Sequence, residues 1–462
     1  MGLRADRRTS IPLFSGEIPD LRRAWASDAP AVVIGTVTGI TAAAILVAPR
    51  LTTIFLPLLI LLWIWARWED GGLRAALPRF DGLAISFTAL LGFALLSSLW
   101  SDYPGAAIDK IAMIGAIAFA SLTIVRLVWG ASRQGVVRAS EGLWIGFLIG
   151  LTYYFAEAIT NQGVRIWLVN AIHLSPELLQ PQKAFAWANG QLVAISDAAF
   201  TRAATPITLI LWPAVMAAQG AIIRPWNTRI ALIILAVAIP TTFLSPQETS
   251  KLAIVVGLIT FGLIWCTRRW AARLIAAAWV VSCLAIVPAA LLAHRLDLHN
   301  ASWVQPSAQH RIIIWNYTAE HIMKTPLLGI GAYMTYLTGP ERSADAIQGP
   351  DETQPRKLSR HAHNFFLQTW LELGAVGAIL LMFAGLQVIR RLSELAHGIQ
   401  PYAFATFASA AALMSASYGM WQAWLLALFG LTPILFAVGA RALETSRPTV
   451  FGSANQKRTG RP

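Results

Sequence analysis

The chain is divided into apolar runs of about 17–22 residues, the length of helix that crosses the hydrocarbon core of a bilayer. They fall near residues 31–48, 51–66, 82–100, 106–129, 142–159, 190–219, 230–245, 251–267, 272–292, 366–389, 401–417 and 420–440. Inside a bilayer the backbone has no water to bond, so such runs must become helices. Only 13% of residues are charged, against about 25% in soluble domains. The predicted fold is an all-α polytopic membrane protein with about twelve transmembrane helices.

The basic residues follow membrane topology. With the N-terminus inside, the inner segments hold 23 of the 36 Lys and Arg residues, and seven more lie in the long outer loop 293–363. Positive charge marks the cytoplasmic side, and long loops are discounted in that count. Both termini are therefore predicted to be cytoplasmic. The net charge of +13 reflects this arrangement and implies no nucleic acid partner. The expected organisation is a cytoplasmic tail at 1–30, a membrane domain of nine helices at 31–292 and an outer loop at 293–363. A membrane domain of three helices at 364–440 and a cytoplasmic tail at 441–462 complete it. The first 30 residues are too long and polar for a signal-peptide n-region. Cys266 and Cys283 both lie in apolar runs, reading as buried thiols rather than a disulfide or metal framework.

Two outer loops are long. Residues 160–189 contain Trp167, Trp187, Pro176 and Pro181. Residues 293–363 hold six of the eight histidines and are nearly neutral, with seven Lys/Arg against six Asp/Glu. Within them Ile312, Trp315, Ala319, Ile322 and Met323 share one face at helical spacing. That pattern fits an amphipathic helix, lying at the membrane interface or packed on the protein's own mouth.

Several residues at the outer ends of the runs can carry chemistry. Arg202 opens an apolar run, where an arginine costs roughly 2.5–3.5 kcal/mol at the bilayer centre. It either snorkels or pairs with Asp197, or it forms an anion site, since guanidinium grips phosphate with a bidentate fork. Arg311 opens the amphipathic stretch as a surface charge or a second anion ligand. His363 stands one residue before Asn364 and the next span; it is a structural histidine or a base acting near neutral pH. Gly374, Gly377 and Ala378 would let neighbouring helices approach. Glu372 lies inside the span and is read as a structural hydrogen-bond or ion-pair partner. Lys110 and Lys251 lie near the outer surface as anchors or added positive charge. His361-x-His363 has no third ligand at suggestive spacing, so no metal site is expected.

Four pieces together resemble the O-antigen ligase family. They are Trp100-Ser101-Asp102-Tyr103-Pro104, Phe200-Thr201-Arg202, Arg311 with Trp315 and Pro326-Leu-Leu-Gly329-Ile-Gly331, and His363-Asn364 followed after nine residues by Gly374-x-x-Gly377. The resemblance runs from about residue 80 to 440. It departs at Glu248-Thr249-Ser250-Lys251-Leu252, where the family often carries a Ser-Arg-Gly-like run. It implies a GT-C-like membrane glycosyltransferase of the bacterial inner membrane, with its active site facing the periplasm. Such enzymes move a glycan from undecaprenyl diphosphate to a lipid A-core sugar hydroxyl. By the resemblance His363 is the catalytic base, and Arg202, Arg311 and more loosely Lys110 bind the donor diphosphate. Asn364, Glu372, Gly374 and Gly377 support them.

The outer loops show no Asp-x-Asp or similar carboxylate cluster, so no cofactor and a metal-independent reaction are expected. The nearest alternative is an O-antigen or exopolysaccharide polymerase using the same donor. A protein O-oligosaccharyltransferase is more remote. A transporter would also fit twelve spans, but the polar residues gather at one membrane face instead of the midplane.

Overall fold

The computed structural model describes residues 21–68, 76–78, 80–173, 185–195, 198–221, 226–338, 347–348, 355–356 and 361–446. Helix α1 (Leu21–Val47) turns through a 3₁₀ segment at Pro49–Leu51 into α2 (Thr52–Trp68). Helix α3 (Gly82–Leu96) leads through a second 3₁₀ turn, Ser97–Trp100, to α4 (Pro104–Trp129), α5 (Arg133–Ile159) and α6 (Gly163–Ile172). A hairpin of β1 (Phe185–Ala188) and β2 (Gln191–Ile195) precedes α7 (Ala198–Thr201), α8 (Ala204–Ala221) and α9 (Trp226–Leu244). Then come α10 (Glu248–Leu284), α11 (Ile286–Arg295), α12 (Pro306–Ile322), α13 (Met334–Thr338) and the two-residue strands β3 (Ile347–Gln348) and β4 (Pro355–Arg356). Helices α14 (Phe365–Glu394), α15 (Gln400–Ala416) and α16 (Ala423–Thr445) close the chain.

Local signals set these boundaries. Asp81 caps α3 by accepting from the Leu83 and Ala84 amides, and Ser132 caps α5 through the Gly135 amide. Proline opens α4 and α12, where the missing amide costs nothing.

Among the described residues, nine helices are long and apolar enough to cross a membrane. The difference from twelve lies in three places. Helix α8 is apolar but short, and α15 is both short and less apolar. Helix α10 is one element that leaves helical geometry at Thr267 and Arg268, between the expected runs 251–267 and 272–292. The expected run 190–219 is corrected. Its first residues form strand β2, because Asn189 and Gly190 both take positive φ and make a tight hairpin turn. The helix proper begins only at Ala204. Helix α1 starts at Leu21, ahead of the expected boundary at residue 31, although its membrane-length apolar stretch begins at Ala29. Helix α16 likewise continues to Thr445, past the expected boundary at 440. Residues 1–20 and 447–462, assigned to tails, lie outside the described residues.

Helix α8 is the core. It is apolar all round, and Ile207, Ile210, Leu211, Ala214 and Ala217 are inaccessible. Helices α5, α9, α15 and α16 surround it, which is why an unpatterned apolar helix is stable there. Helix α12 answers the amphipathic pattern by packing on α11 and α14. Ile312, Ala319 and Ile322 are buried, Trp315 joins their cluster, and only Met323 of the predicted face is exposed. It therefore roofs the protein's own mouth.

Helices α1 and α5 cross with backbones in contact. A Cβ on Gly146 would lie 2.0 Å from the Gly39 carbonyl oxygen, and one on Gly142 would lie 1.9 Å from that of Gly35. Small residues at such a crossing replace side-chain packing by direct backbone approach. Gly146→Leu is expected to force the pair apart at a cost of about 2 kcal/mol or more. The test is the unfolding temperature in detergent; an unchanged value would refute the crossing.

Candidate active site

The site is built around a break in α14. Gly374 takes φ 62°, ψ −161° in mid-helix, a combination essentially open to glycine alone. The break interrupts the helical hydrogen bonds, and the segment 326–331 replaces them. The Ala375 and Val376 amides donate to the Pro326 and Leu327 carbonyls (2.8 and 3.3 Å), while the Leu371 and Glu372 carbonyls accept from the Ile330 and Gly331 amides (3.0 and 2.9 Å). A Cβ at Gly374 would lie 2.3 Å from the Leu327 oxygen. The backbone approaching Gly374 is thus a loop, not the neighbouring helix expected from the sequence. Gly377 instead makes room for Leu373 of its own helix, whose Cβ would stand 2.1 Å from a Cβ added at Gly377.

Glu372 holds the next layer. Its buried carboxylate accepts from the Tyr333 amide (3.0 Å), from Trp421 Nε1 (2.9 and 3.0 Å) and from Gln368 Nε2 (3.1 Å). These bonds tie α14 to residue 333 and to the 417–422 turn. The Trp100-to-Pro104 segment joins the same layer, since Ser97 Oγ accepts from the Ala332 amide (3.0 Å) and Ser101 Oγ contacts Met334 Sδ.

His363 precedes α14 with φ 51°. Asn364 caps the helix by accepting from the Leu367 amide (3.0 Å). The His363 Nδ1 is bonded to the Ser417 carbonyl. A carbonyl only accepts, so Nδ1 carries the proton and the neutral ring presents its lone pair at Nε2. Burial holds the His363 pKa below the ordinary histidine value, with the positive charge of Arg311 adding to the effect. His361 lies beside it, ring centroids 4.1 Å apart, and burial pushes its pKa down to about 3. Both imidazoles are therefore neutral at neutral pH.

Arg202 and Arg311 both come within electrostatic reach of Tyr418. Arg202 occupies the turn between α7 and α8, and Arg311 lies in the second turn of α12; both are half-buried. Each acts electrostatically on the Tyr418 phenol, which lies one residue from Ser417. Among the described residues, neither guanidinium has an ion-pair or hydrogen-bond partner. Asp197, the alternative partner for Arg202, lies outside the described residues. Burial lowers the Arg311 pKa from its usual value, which still leaves arginine charged. Phe200, two residues before Arg202, is fixed by stacking on Tyr154 (4.1 Å, 6°) and by Tyr154 Oη donating to its carbonyl. Arg165, paired with the fully buried Glu157 at 3.6 Å, lies over that ring at 5.9 Å.

The structure therefore assembles Arg202, Arg311 and His363 around the 417–418 turn. Lys110 sits elsewhere in the layer, over the Tyr333 ring at 5.4 Å, and Lys251 pairs with Glu248 at 2.7 Å. Tyr418, Ser417 and Gln247 do not stand out in the sequence. Ser417 and Tyr418 lie in one short connection and Gln247 in another, and only the fold brings the two together. Among the described residues no group of three or more His, Cys, Asp or Glu is placed to hold a metal ion.

Residues 213–382 match the family described as O-Antigen ligase. The matched segment contains Arg311, His363, Glu372, Gly374 and Gly377, while Arg202 and Lys110 lie before it. Proteins named "Putative polysaccharide ligase" are similar over shorter stretches. One from Rickettsia conorii is 33% identical over 122 residues, covering 26% of this chain and 29% of that relative. One from Rickettsia typhi is 29% identical over 140 residues, covering 29% of this chain and 34% of that relative. The matches thus span about a third of these relatives' length or less.

Gly374→Ala is expected to strain the backbone by about 1–3 kcal/mol and to expel the 326–331 segment. Protease sensitivity of that segment in the full-length variant measures this; a cleavage pattern like wild type would sink it.

Proposed function

With residues 213–382 carrying the O-antigen ligase match that the sequence resemblance implied, we propose that this protein is an inverting glycosyltransferase of that kind. It moves a glycan from undecaprenyl diphosphate to a sugar hydroxyl of lipid A-core. The reaction takes place at the periplasmic face of a bacterial inner membrane. The proposed frame is a GT-C-like bundle of twelve spans, counting α8, α15 and both arms of α10, with both termini cytoplasmic. The observation that carries this reading is a neutral, correctly tautomeric His363 near Arg311, on the turn that Arg202 also approaches, with neither guanidinium paired to a carboxylate among the described residues.

In the proposed reaction His363 Nε2 takes the proton of the acceptor hydroxyl. The oxygen attacks the anomeric carbon from the face opposite the diphosphate. The carbon–oxygen bond to the diphosphate breaks, and its electron pair leaves with undecaprenyl diphosphate. A single displacement inverts the anomeric centre. Arg202 and Arg311 stabilise the charge developing on the leaving group, which is the largest electrostatic demand of the step. They supply that charge without a metal ion, so transfer is proposed to be metal-independent. Activity that disappears in chelator and returns with Mg²⁺ would reject that part. The names of the relatives, polysaccharide ligases, favour ligation over polymerisation.

The decisive experiment is lipopolysaccharide profiling in a deletion strain of the source bacterium, complemented with wild type or with His363→Ala. Wild type should restore the O-antigen ladder, and the variant should not, its transfer rate falling about 10²- to 10⁴-fold. A core bearing one repeat in the deletion strain would instead mean a polymerase.

The pH dependence has a definite sign. A histidine pKa held below 6.5 leaves the base neutral as pH falls through that value. The acidic limb of kcat/KM should therefore lie below 6.5, with activity lost only as pH falls through the depressed pKa. Arg311→Ala removes a positive neighbour, so the residual activity should show the limb moved towards higher pH. A limb that stays in place would disconnect Arg311 from His363.

A further inference from the structure

We infer that the Tyr418 hydroxyl is a third hydrogen-bond donor to the leaving diphosphate, beside the two guanidiniums, and that Gln247 orients it. The inference rests on the proposed function and adds a binding group to it.

A phenol has one proton to give and two lone pairs to fill. Gln247 Nε2 donates to the Tyr418 oxygen at 3.1 Å and to Thr205 Oγ1 at 3.2 Å. Its Oε1 accepts from Ser250 at 3.0 Å. Thr205 Oγ1 is also within hydrogen-bond distance of Gln247 Oε1, at 3.3 Å, so this hydroxyl is engaged with the Gln247 amide. The Gln247 amide thereby occupies a lone pair of Tyr418 from the protein side, and among the described residues no acceptor takes the phenol proton. The other groups acting on the phenol there are Arg202 and Arg311, and guanidinium offers donors only. An anion held by the arginines supplies the missing acceptor.

The surroundings fix this orientation. The Tyr418 ring meets Trp424 edge-on, centroids 5.1 Å apart at 83°. Gln247 is 8% exposed and precedes α10 as its N-cap residue. Thr205 stands three residues after Arg202, its amide donating to the Arg202 carbonyl at 3.2 Å. One amide thus links the turn of Arg202 to the turn whose Ser417 carbonyl sets the His363 tautomer.

The test uses full-length protein in nanodiscs with farnesyl diphosphate as the probe, its affinity measured by calorimetry. Tyr418→Phe removes only the hydroxyl. It should weaken farnesyl diphosphate about tenfold, the scale of a hydrogen bond to a charged group, with the unfolding temperature unchanged. Unchanged affinity in Tyr418→Phe, while Arg202→Ala loses it, overturns the inference and leaves the proposed function standing. Wild-type protein that binds no farnesyl diphosphate overturns both. Should Tyr418→Phe fail to fold, Gln247→Met takes its place. It keeps the side-chain volume and removes the donor that orients the phenol, so weakened binding supports the inference and wild-type affinity overturns it.

Discussion

The site depends on an exchange of backbone hydrogen bonds. A helix broken inside an apolar span would strand two amides and two carbonyls where water is scarce, at a cost of several kcal/mol per group. At Gly374 none is stranded, because the 326–331 segment supplies two donors and two acceptors in return. The break and the loop are therefore one unit. Each is stable only in the presence of the other, and Glu372 extends the unit to Tyr333 and Trp421. His363 enters α14 from one end of this assembly, and the 417–422 turn that holds its ring is fastened to the other.

Around that frame the electrostatics are one-sided. Two half-buried cations without a carboxylate among the described residues are costly in a protein, and one of them, Arg311, also depresses the proton affinity of the His363 imidazole. A carboxylate in their midst would stabilise the resting protein and fill the place of an anionic ligand. The buried Glu157–Arg165 pair shows the contrast, since there a carboxylate partner is present and the arginine serves packing, over the Phe200 ring.

Much of this is legible in the sequence where the signal is local. Apolar runs announce helices because each residue contributes its hydrophobicity independently of its partners. Pro104 and Pro306 mark helix starts because the constraint lies within the residue itself. The His363-Asn364 pair and the glycines stand out for the same reason. What approaches Gly374 does not, because sequence shows that space is needed and not what occupies it. The β1–β2 hairpin is signalled by Asn189-Gly190 and masked by the apolar residues that follow. Tyr418 and Gln247 stay hidden because they meet across 171 residues of chain. Neither has a neighbouring residue that announces the encounter.

The bond from His363 Nδ1 to the Ser417 carbonyl has a consequence for traffic through the site. An imidazole anchored at one nitrogen exchanges protons through the other alone. In the proposed reaction a proton collected at Nε2 would depart only by the side on which it arrived. That side would be occupied until the newly joined sugar withdraws. Resetting the ring would then wait for the product to leave, so acceptor exchange and proton exchange would share a single doorway.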